Sequence, residues 1–229
     1  MANFYEATSG ALRGVYDRRV RTPPVLDRDR YFPGHADFER DWRAIQAECN
    51  ALMGGMAAIP EFHELMAEQA DLSRHGGRFW RLYVLRAYGA DHRRNQARCP
   101  ALSRLLHAHP EVKSAAFSIL EAGKHIPAHR GPFRGILRYH LPLVIPPDVE
   151  GRPSNRLRVD AGVHVLREGQ GLLWDDTYEH EAWNDSRAPR AVLLLDVFRP
   201  ELPWALRGLT HAVVAAIGLT WRVTGRGQR

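Results

Sequence analysis

The second half of the chain most restricts the fold. From residue 113 onward, short apolar runs follow one another as "KSAAFSILE", "RGILRYHLPLVI", "RLRVDAGVHVL", "GLLWDD" and "RAVLLLDVF". Gly, Pro, Asn and Asp separate them at the intervals expected of an antiparallel sandwich or jelly roll. The chain has 229 residues, which suits one large β-rich domain, since such domains often run to ~200–250 residues.

The first half has a different texture. Residues 1–36 are rich in Arg, Pro and Gly and read as an irregular lead-in. A helix is expected next, with Asp37 as N-cap. Phe38, Trp42, Ile45, Cys49 and Leu52 fall three or four apart before Gly54 and Gly55 stop it. "RFWRLYVLRAYG" (78–89) alternates as a strand, and "PALSRLLHAHP" suits a short helix with Pro100 in its first turn. The expected architecture is mainly β, with a helical N-terminal cap packed on a C-terminal sandwich. No internal repeat or low-complexity tract interrupts it.

The tail, residues 203–229, changes texture again. "LTHAVVAAIGLTWRV" places Leu206, Leu209, Val213, Ile217 and Trp221 on one helical stripe, flanked by Arg207, Arg222, Arg226 and Arg229. Such a helix either packs on the sandwich or touches an anionic membrane surface. The formal charge of the chain is +6 and its pI about 9.7. Its arginines are scattered rather than gathered into a basic block. That argues against a nucleic-acid partner and favours small acidic molecules or anionic lipid. No segment reaches the ~18 apolar residues of a membrane span. The opening "MANFYEATSGALRGVYDRRV" has no continuous apolar core, so no secretory leader is expected and a cytosolic protein is. Cys49 and Cys99 form no CxxC unit and read as ordinary reduced thiols.

Candidate chemistry starts from the histidines. Of 12, His92, His107, His109 and His211 read as ordinary surface or core residues. His129 and His180 each sit beside a strand-like segment, 51 positions apart. That separation suits two ligands brought together by a sandwich rather than by one helix. Imidazole nitrogen accepts iron, zinc, copper or nickel, so the residues alone leave the metal open. In "ILRYHLPL", Ile136, Arg138, His140 and Pro142 share one face and Leu137, Tyr139, Leu141 and Leu143 the other. An inward Arg138 asks for a carboxylate or phosphate partner; alternatively this face is solvated. Arg190 opens the apolar run "RAVLLLDVF" and either reaches the same cavity or pairs with Asp185 or Asp196.

Two longer stretches carry a resemblance. "FSILEAGKHIPAHRGPFRGILRYHLPLVIP" and "LREGQGLLWDDTYEHEAWNDSRAPRAVLLLDVFRPEL" are similar to the aspartyl/asparaginyl β-hydroxylase family of iron(II)- and 2-oxoglutarate-dependent oxygenases. The likeness spans roughly residues 78–202 and is nearest to the bacterial branch that includes lipid hydroxylases. It implies a double-stranded β-helix, a jelly roll, with flanking N- and C-terminal helices. On this reading 37–202 form the oxygenase-like domain and 203–229 a basic amphipathic tail.

Carried over residue by residue, the resemblance gives iron ligation to His129 in "HRG" and His180 in "YEHEAWND". Most such oxygenases place a carboxylate two residues after the first histidine. Here that position is Gly131, as in this family, whose iron is held by two histidines and water. Ser118 and Arg190 match the residues that hold the distal carboxylate of 2-oxoglutarate. Arg138 and His140 match those near its chelating carboxylate, and Trp80 matches an aromatic residue of the pocket, with plain core packing as the alternative. Asp175, Asp176 and Glu179 receive no role. The implied cofactors are Fe(II), 2-oxoglutarate and dioxygen. The implied reaction is hydroxylation of an unactivated C–H, with succinate and carbon dioxide as coproducts. The favoured substrate is a lipid acyl chain or a small amino-acid-derived molecule. The alternatives are an aspartyl or asparaginyl residue of a polypeptide, or a jelly-roll sensor of 2-oxoglutarate without catalysis.

Overall fold

The structure is a computed structural model that describes residues 2–224, with side chains from residue 9 onward apart from that of residue 68. Nine α-helices are described: α1 (Ala2–Asp17), α2 (Arg28–Tyr31), α3 (His35–Arg40), α4 (Trp42–Met53), α5 (Phe62–Leu65), α6 (Ala70–Arg74), α7 (Arg93–Ala97), α8 (Pro100–Ala108) and α9 (Trp204–Thr224). The strands are β1 (Val25–Leu26), β2 (Trp80–Ala87), β3 (Ala90–Asp91), β4 (Val112–Leu120), β5 (His125–His129) and β6 (Ile136–Val144). After them come β7 (Asn155–Val159), β8 (Gly162–Val165), β9 (Leu172–Trp174), β10 (His180–Asn184) and β11 (Arg190–Phe198).

The strands form two sheets, ordered β1-β9-β6-β11-β4-β2-β3 and β5-β10-β7-β8, with antiparallel pairing throughout. From β4 to β11 the chain passes back and forth between the two, and the order β9-β6-β11-β4 opposite β5-β10-β7-β8 is that of a jelly roll. The expectation of a mainly β chain is corrected, because helical residues outnumber strand residues. The large sheet needs cover on its outer face, and helices supply it. Ala191, Leu193, Leu195 and Val197 of β11 pack there with Phe38, Ile45, Leu102 and Leu106 of the helical layer. Burial of each large apolar side chain contributes about 1.5–3 kcal/mol. The inner face of the same strand holds Arg190, Val192, Leu194 and Asp196. Cover on both faces is why β11 reads as a near-continuous apolar run.

Several local expectations change. Residues 1–36 are not irregular: α1 takes up most of the first half, and β1 pairs with β9, tying this segment to the large sheet. The single helix expected from Asp37 is two, broken at Asp41. Asp37 lies within α3, where its carboxylate bonds Arg40 and His109 instead of capping. "RLRVDAGVHVL" folds back on itself as β7 and β8 around Asp160, whose φ is +54°. Cys49 and Cys99 are both free and buried in the core, and burial pushes both thiols up to about 12.

The tail is a 21-residue helix, but its buried line is Leu206, Thr210, Val214, Gly218 and Trp221 rather than the larger stripe expected. Gly218 decides this. A Cβ there would overlap the Tyr88 carbonyl, so the bare backbone lets α9 lie directly on the turn after β2. Arg226 and Arg229 lie outside the described residues.

Candidate active site

His129 ends β5 and His180 begins β10, and the two are direct cross-strand partners in the small sheet. Their ring centroids are 4.0 Å apart at an interplanar angle of 57°. Each Nδ1 lies against a backbone carbonyl, His129 against Pro127 at 2.8 Å and His180 against Tyr178 at 2.9 Å. A carbonyl only accepts, so Nδ1 must carry the proton and Nε2 the lone pair. Burial pulls the His129 pKa down to about 4. Burial, and then its neighbour His129, hold that of His180 well below the ordinary histidine value. Both rings are therefore neutral donors at physiological pH, the form a metal requires.

Across the sandwich, the inner face of the large sheet carries the other residues singled out from the sequence. In β6, Arg138 and His140 point inward while Leu137, Tyr139 and Leu141 join the outer core. The ring of Trp174 lies edge-on between the two sheets' histidines, 4.6 Å from His180 and 5.3 Å from His140. Trp80 donates its Nε1 hydrogen to Ser118 Oγ at 2.9 Å and stacks on Phe62. Ser118 and Arg190 lie on neighbouring strands β4 and β11, two residues apart in register.

The two arginines differ sharply. Arg138 is held by two buried carboxylates, Nη1 to Asp176 at 3.1 Å and Nε to Asp196 at 2.9 Å. Burial opposes its charge, but Asp196 and Asp176 more than compensate and raise its pKa. The carboxylate partner that an inward Arg138 asks for is thus supplied by the chain itself, twice. Arg190 is 3 % exposed, makes no ion pair among the described residues, and leaves Nε without a hydrogen-bond partner. Neither of the two expected salt bridges forms, because Asp185 pairs with Arg156 and Asp196 with Arg138. Burial pulls Arg190 down to about 9, with only Asp185 opposing. His140 Nε2 and Trp174 Nε1 are also buried without partners. Buried polar atoms seldom go unpaired, so this set fits an oxygen-rich anion.

Gly131 leaves the space beside His129 to another residue. A Cβ at this position would overlap the Asp176 carboxylate, and the Gly131 N–H donates to the Asp176 carbonyl at 2.6 Å. The sequence reading gave Asp176 no role, yet its carboxyl stands where a side chain from Gly131 would. Burial pushes its pKa up to about 6 against the pull of Arg138. Asp175 is occupied elsewhere, by Arg199 and by Arg134 at 3.2 Å, and Glu179 pairs outward with Arg158. Gly131→Ala should cost roughly 1–3 kcal/mol through overpacking. A lowered urea midpoint at unchanged slope would register it; an unchanged midpoint would mean that Asp176 moves aside freely.

Among the described residues, no group of three or more His, Cys, Asp or Glu side chains is arranged to hold a metal ion. The two available imidazole nitrogens nonetheless suit a ferrous ion whose remaining positions are filled from outside the protein. A largely apolar pocket opens beside His129, lined by Asp176, Arg138 and Asp196 and by Met66, Leu82, Val84 and Trp221.

Fold and site together define a jelly-roll protein with a two-histidine centre inside its sandwich. The chain belongs to the aspartyl/asparaginyl β-hydroxylase family, whose model, described as Aspartyl/Asparaginyl beta-hydroxylase, matches residues 39–200. Within it, the chain falls in a bacterial branch that resembles lipid hydroxylases. It is 36% identical over 199 residues to the ornithine lipid ester-linked acyl 2-hydroxylase of Rhizobium tropici, covering 83% of this chain and 68% of that protein. It is 31% identical over 172 residues to the human aspartyl/asparaginyl beta-hydroxylase, covering 72% of this chain but 21% of that protein. The chain thus spans about two thirds of the first and a fifth of the second. Among solved structures, a cupin domain of an Enterobacter cloacae transcriptional regulator has a TM-score of 0.31 at 15% identity, covering 37% of this chain and 80% of that one. A predicted oxalate decarboxylase of Thermotoga maritima has a TM-score of 0.32 at 13% identity, covering 40% of this chain and 71% of that one.

Proposed function

We propose that this protein is an Fe(II)- and 2-oxoglutarate-dependent hydroxylase acting on a fatty acyl chain of a lipid. The observation that carries the reading is the pairing of two neutral, adjacent imidazoles with a buried Arg190 that has no ion pair among the described residues and an unpartnered Nε, inside one sandwich. His129 and His180 would hold the metal through Nε2. Arg190, with the Ser118 hydroxyl beside it, would take the distal carboxylate of 2-oxoglutarate, and His140 would donate or accept at the other end. The bound metal, cosubstrate and dioxygen supply the oxidising power that converts C–H to C–OH, with succinate and carbon dioxide as coproducts. The chain's own residues bind, orient and exclude water.

The acyl substrate is favoured by the pocket. Its walls of Met66, Leu82, Val84 and Trp221 suit an alkyl chain laid against His129. The Rhizobium relative, by its description, hydroxylates an acyl group of ornithine lipid. A polypeptide aspartyl side chain would instead need a cation in this pocket, where Arg138 is already neutralised by two carboxylates.

The test is succinate formation by the purified protein with Fe(II), ascorbate, oxygen and 2-oxoglutarate, in the presence and absence of detergent-dispersed ornithine lipid. Lipid-stimulated succinate, with an oxygen atom added to the acyl chain by mass spectrometry, is expected. Succinate without any oxygenated lipid would remove the acyl substrate. No succinate under any of these conditions would leave the sensor as the better reading.

A further inference from the structure

Helix α9 has a second face that packing within the domain does not explain. Opposite its buried line lie Trp204, Ala205, Ala212, Ala216, Leu219 and Val223. Trp204 is 87% exposed, Leu219 60% and Val223 78%. An ordinary surface helix opposes its buried stripe with charged and polar side chains. Here the outward side is apolar along the helix, and α9 contains no Asp or Glu. Its cationic and titratable residues, Arg207, His211 and Arg222, are spaced four and eleven apart and so run along one border of that side. No helix among the described residues is long and apolar enough to cross a membrane.

The position of the helix adds a third observation. Trp221 faces inward from α9 and forms part of the pocket that reaches His129, together with Tyr88 from the turn under Gly218. Leu65, Val84, Ala116 and Trp221 make a continuous apolar cluster between the two. One helix therefore presents apolar surface to the outside and a pocket wall to the inside.

We propose that the outward side of α9 seats the protein on an anionic lipid bilayer, beside the mouth through which substrate enters. Trp204, Leu219 and Val223 enter the headgroup–acyl boundary, where an indole ring is favoured. Arg207 and Arg222 meet the anionic headgroups, consistent with the formal charge of +6. A second copy of the chain fits this face less well, because it would set another cationic helix against this one. The link to substrate delivery rests on the acyl-lipid reading above; the membrane seat itself does not.

The test is flotation of the full-length protein, without iron or 2-oxoglutarate, on vesicles of equal parts phosphatidylglycerol and phosphatidylcholine. Wild type should float at least ~10-fold more than on pure phosphatidylcholine, and less at high salt. The double variant Leu219→Glu/Val223→Glu should lose at least ~10-fold of that binding with an unchanged thermal midpoint, since both side chains are exposed. Trp204→Glu serves as a second variant should the double one be destabilised. Wild type left in the aqueous fraction, equal flotation of wild type and variants, or a vesicle-independent dimer that the variants dissociate would each overturn the proposal. Flotation without any oxygenated lipid would sink the acyl substrate and leave the seat standing. Hydroxylation of detergent-dispersed lipid by a protein that does not float would do the reverse.

Discussion

Arg190→Met will leave the protein folded and at least as stable as wild type, while removing its response to 2-oxoglutarate. A buried guanidinium without a counter-ion carries its full desolvation penalty, and an apolar residue of similar length avoids it. The gain in the free protein should be roughly 1–3 kcal/mol, read as a raised urea midpoint. The cosubstrate should raise the thermal midpoint of wild type and leave that of the variant unmoved. Loss of a buried, hydrogen-bonded carboxylate–guanidinium pair costs about 2–5 kcal/mol, so the KM for 2-oxoglutarate should rise at least ~30-fold. A variant that keeps the wild-type KM would show that Arg190 does not hold the cosubstrate.

Substitution of either histidine should be the most damaging change of all. His129→Ala and His180→Ala should each abolish binding of Fe(II) alone by titration calorimetry, and lower succinate formation at least ~100-fold. The protein has little reserve here, because no third His, Cys, Asp or Glu completes a metal-binding group among the described residues. The double variant should be no worse than either single one, since two residues that act as a unit are not additive. Retained tight iron binding in either single variant would show that the ion is held elsewhere. Far-UV circular dichroism should stay unchanged, because neither ring belongs to the main apolar core.

How much of this was legible in the sequence depends on what each strand faces. The run 190–198 was readable to the residue, because β11 is covered on both sides and apolar nearly throughout. The strands that carry the histidines were not. In "HIPAH" a bulge against β10 interrupts the alternation. In "HEAWN" the buried positions are His180, Ala182 and Asn184 while the large apolar Trp183 lies on the other side, so hydrophobicity does not track burial. His129 and His180 stand out by their place beside strand-like runs, the resemblance gives them iron ligation, and the cross-strand pairing brings them together. The partners of Arg138 escaped notice for another reason. Asp196 lies 58 positions away and Asp176 sits in a turn, so only the tertiary fold reveals that both carboxylates converge on one guanidinium. A contributory signal for Asp176 is Gly131 itself, a residue without a side chain two positions after His129. In the tail the expected stripe is shifted by one residue in mid-helix: Leu206 and Trp221 are buried as expected and Leu209, Val213 and Ile217 half-buried, while Thr210, Val214 and Gly218 lie deepest.

The imidazole pair rides on the small sheet and Arg190 on the large one, so the two halves of the proposed reaction centre are joined through the filling of the sandwich. Alignment is then a matter of wall-to-wall clearance, set by buried residues such as Leu157 and Ile126. Thinning that filling would detune turnover at a distance, with every chemically active group still in place.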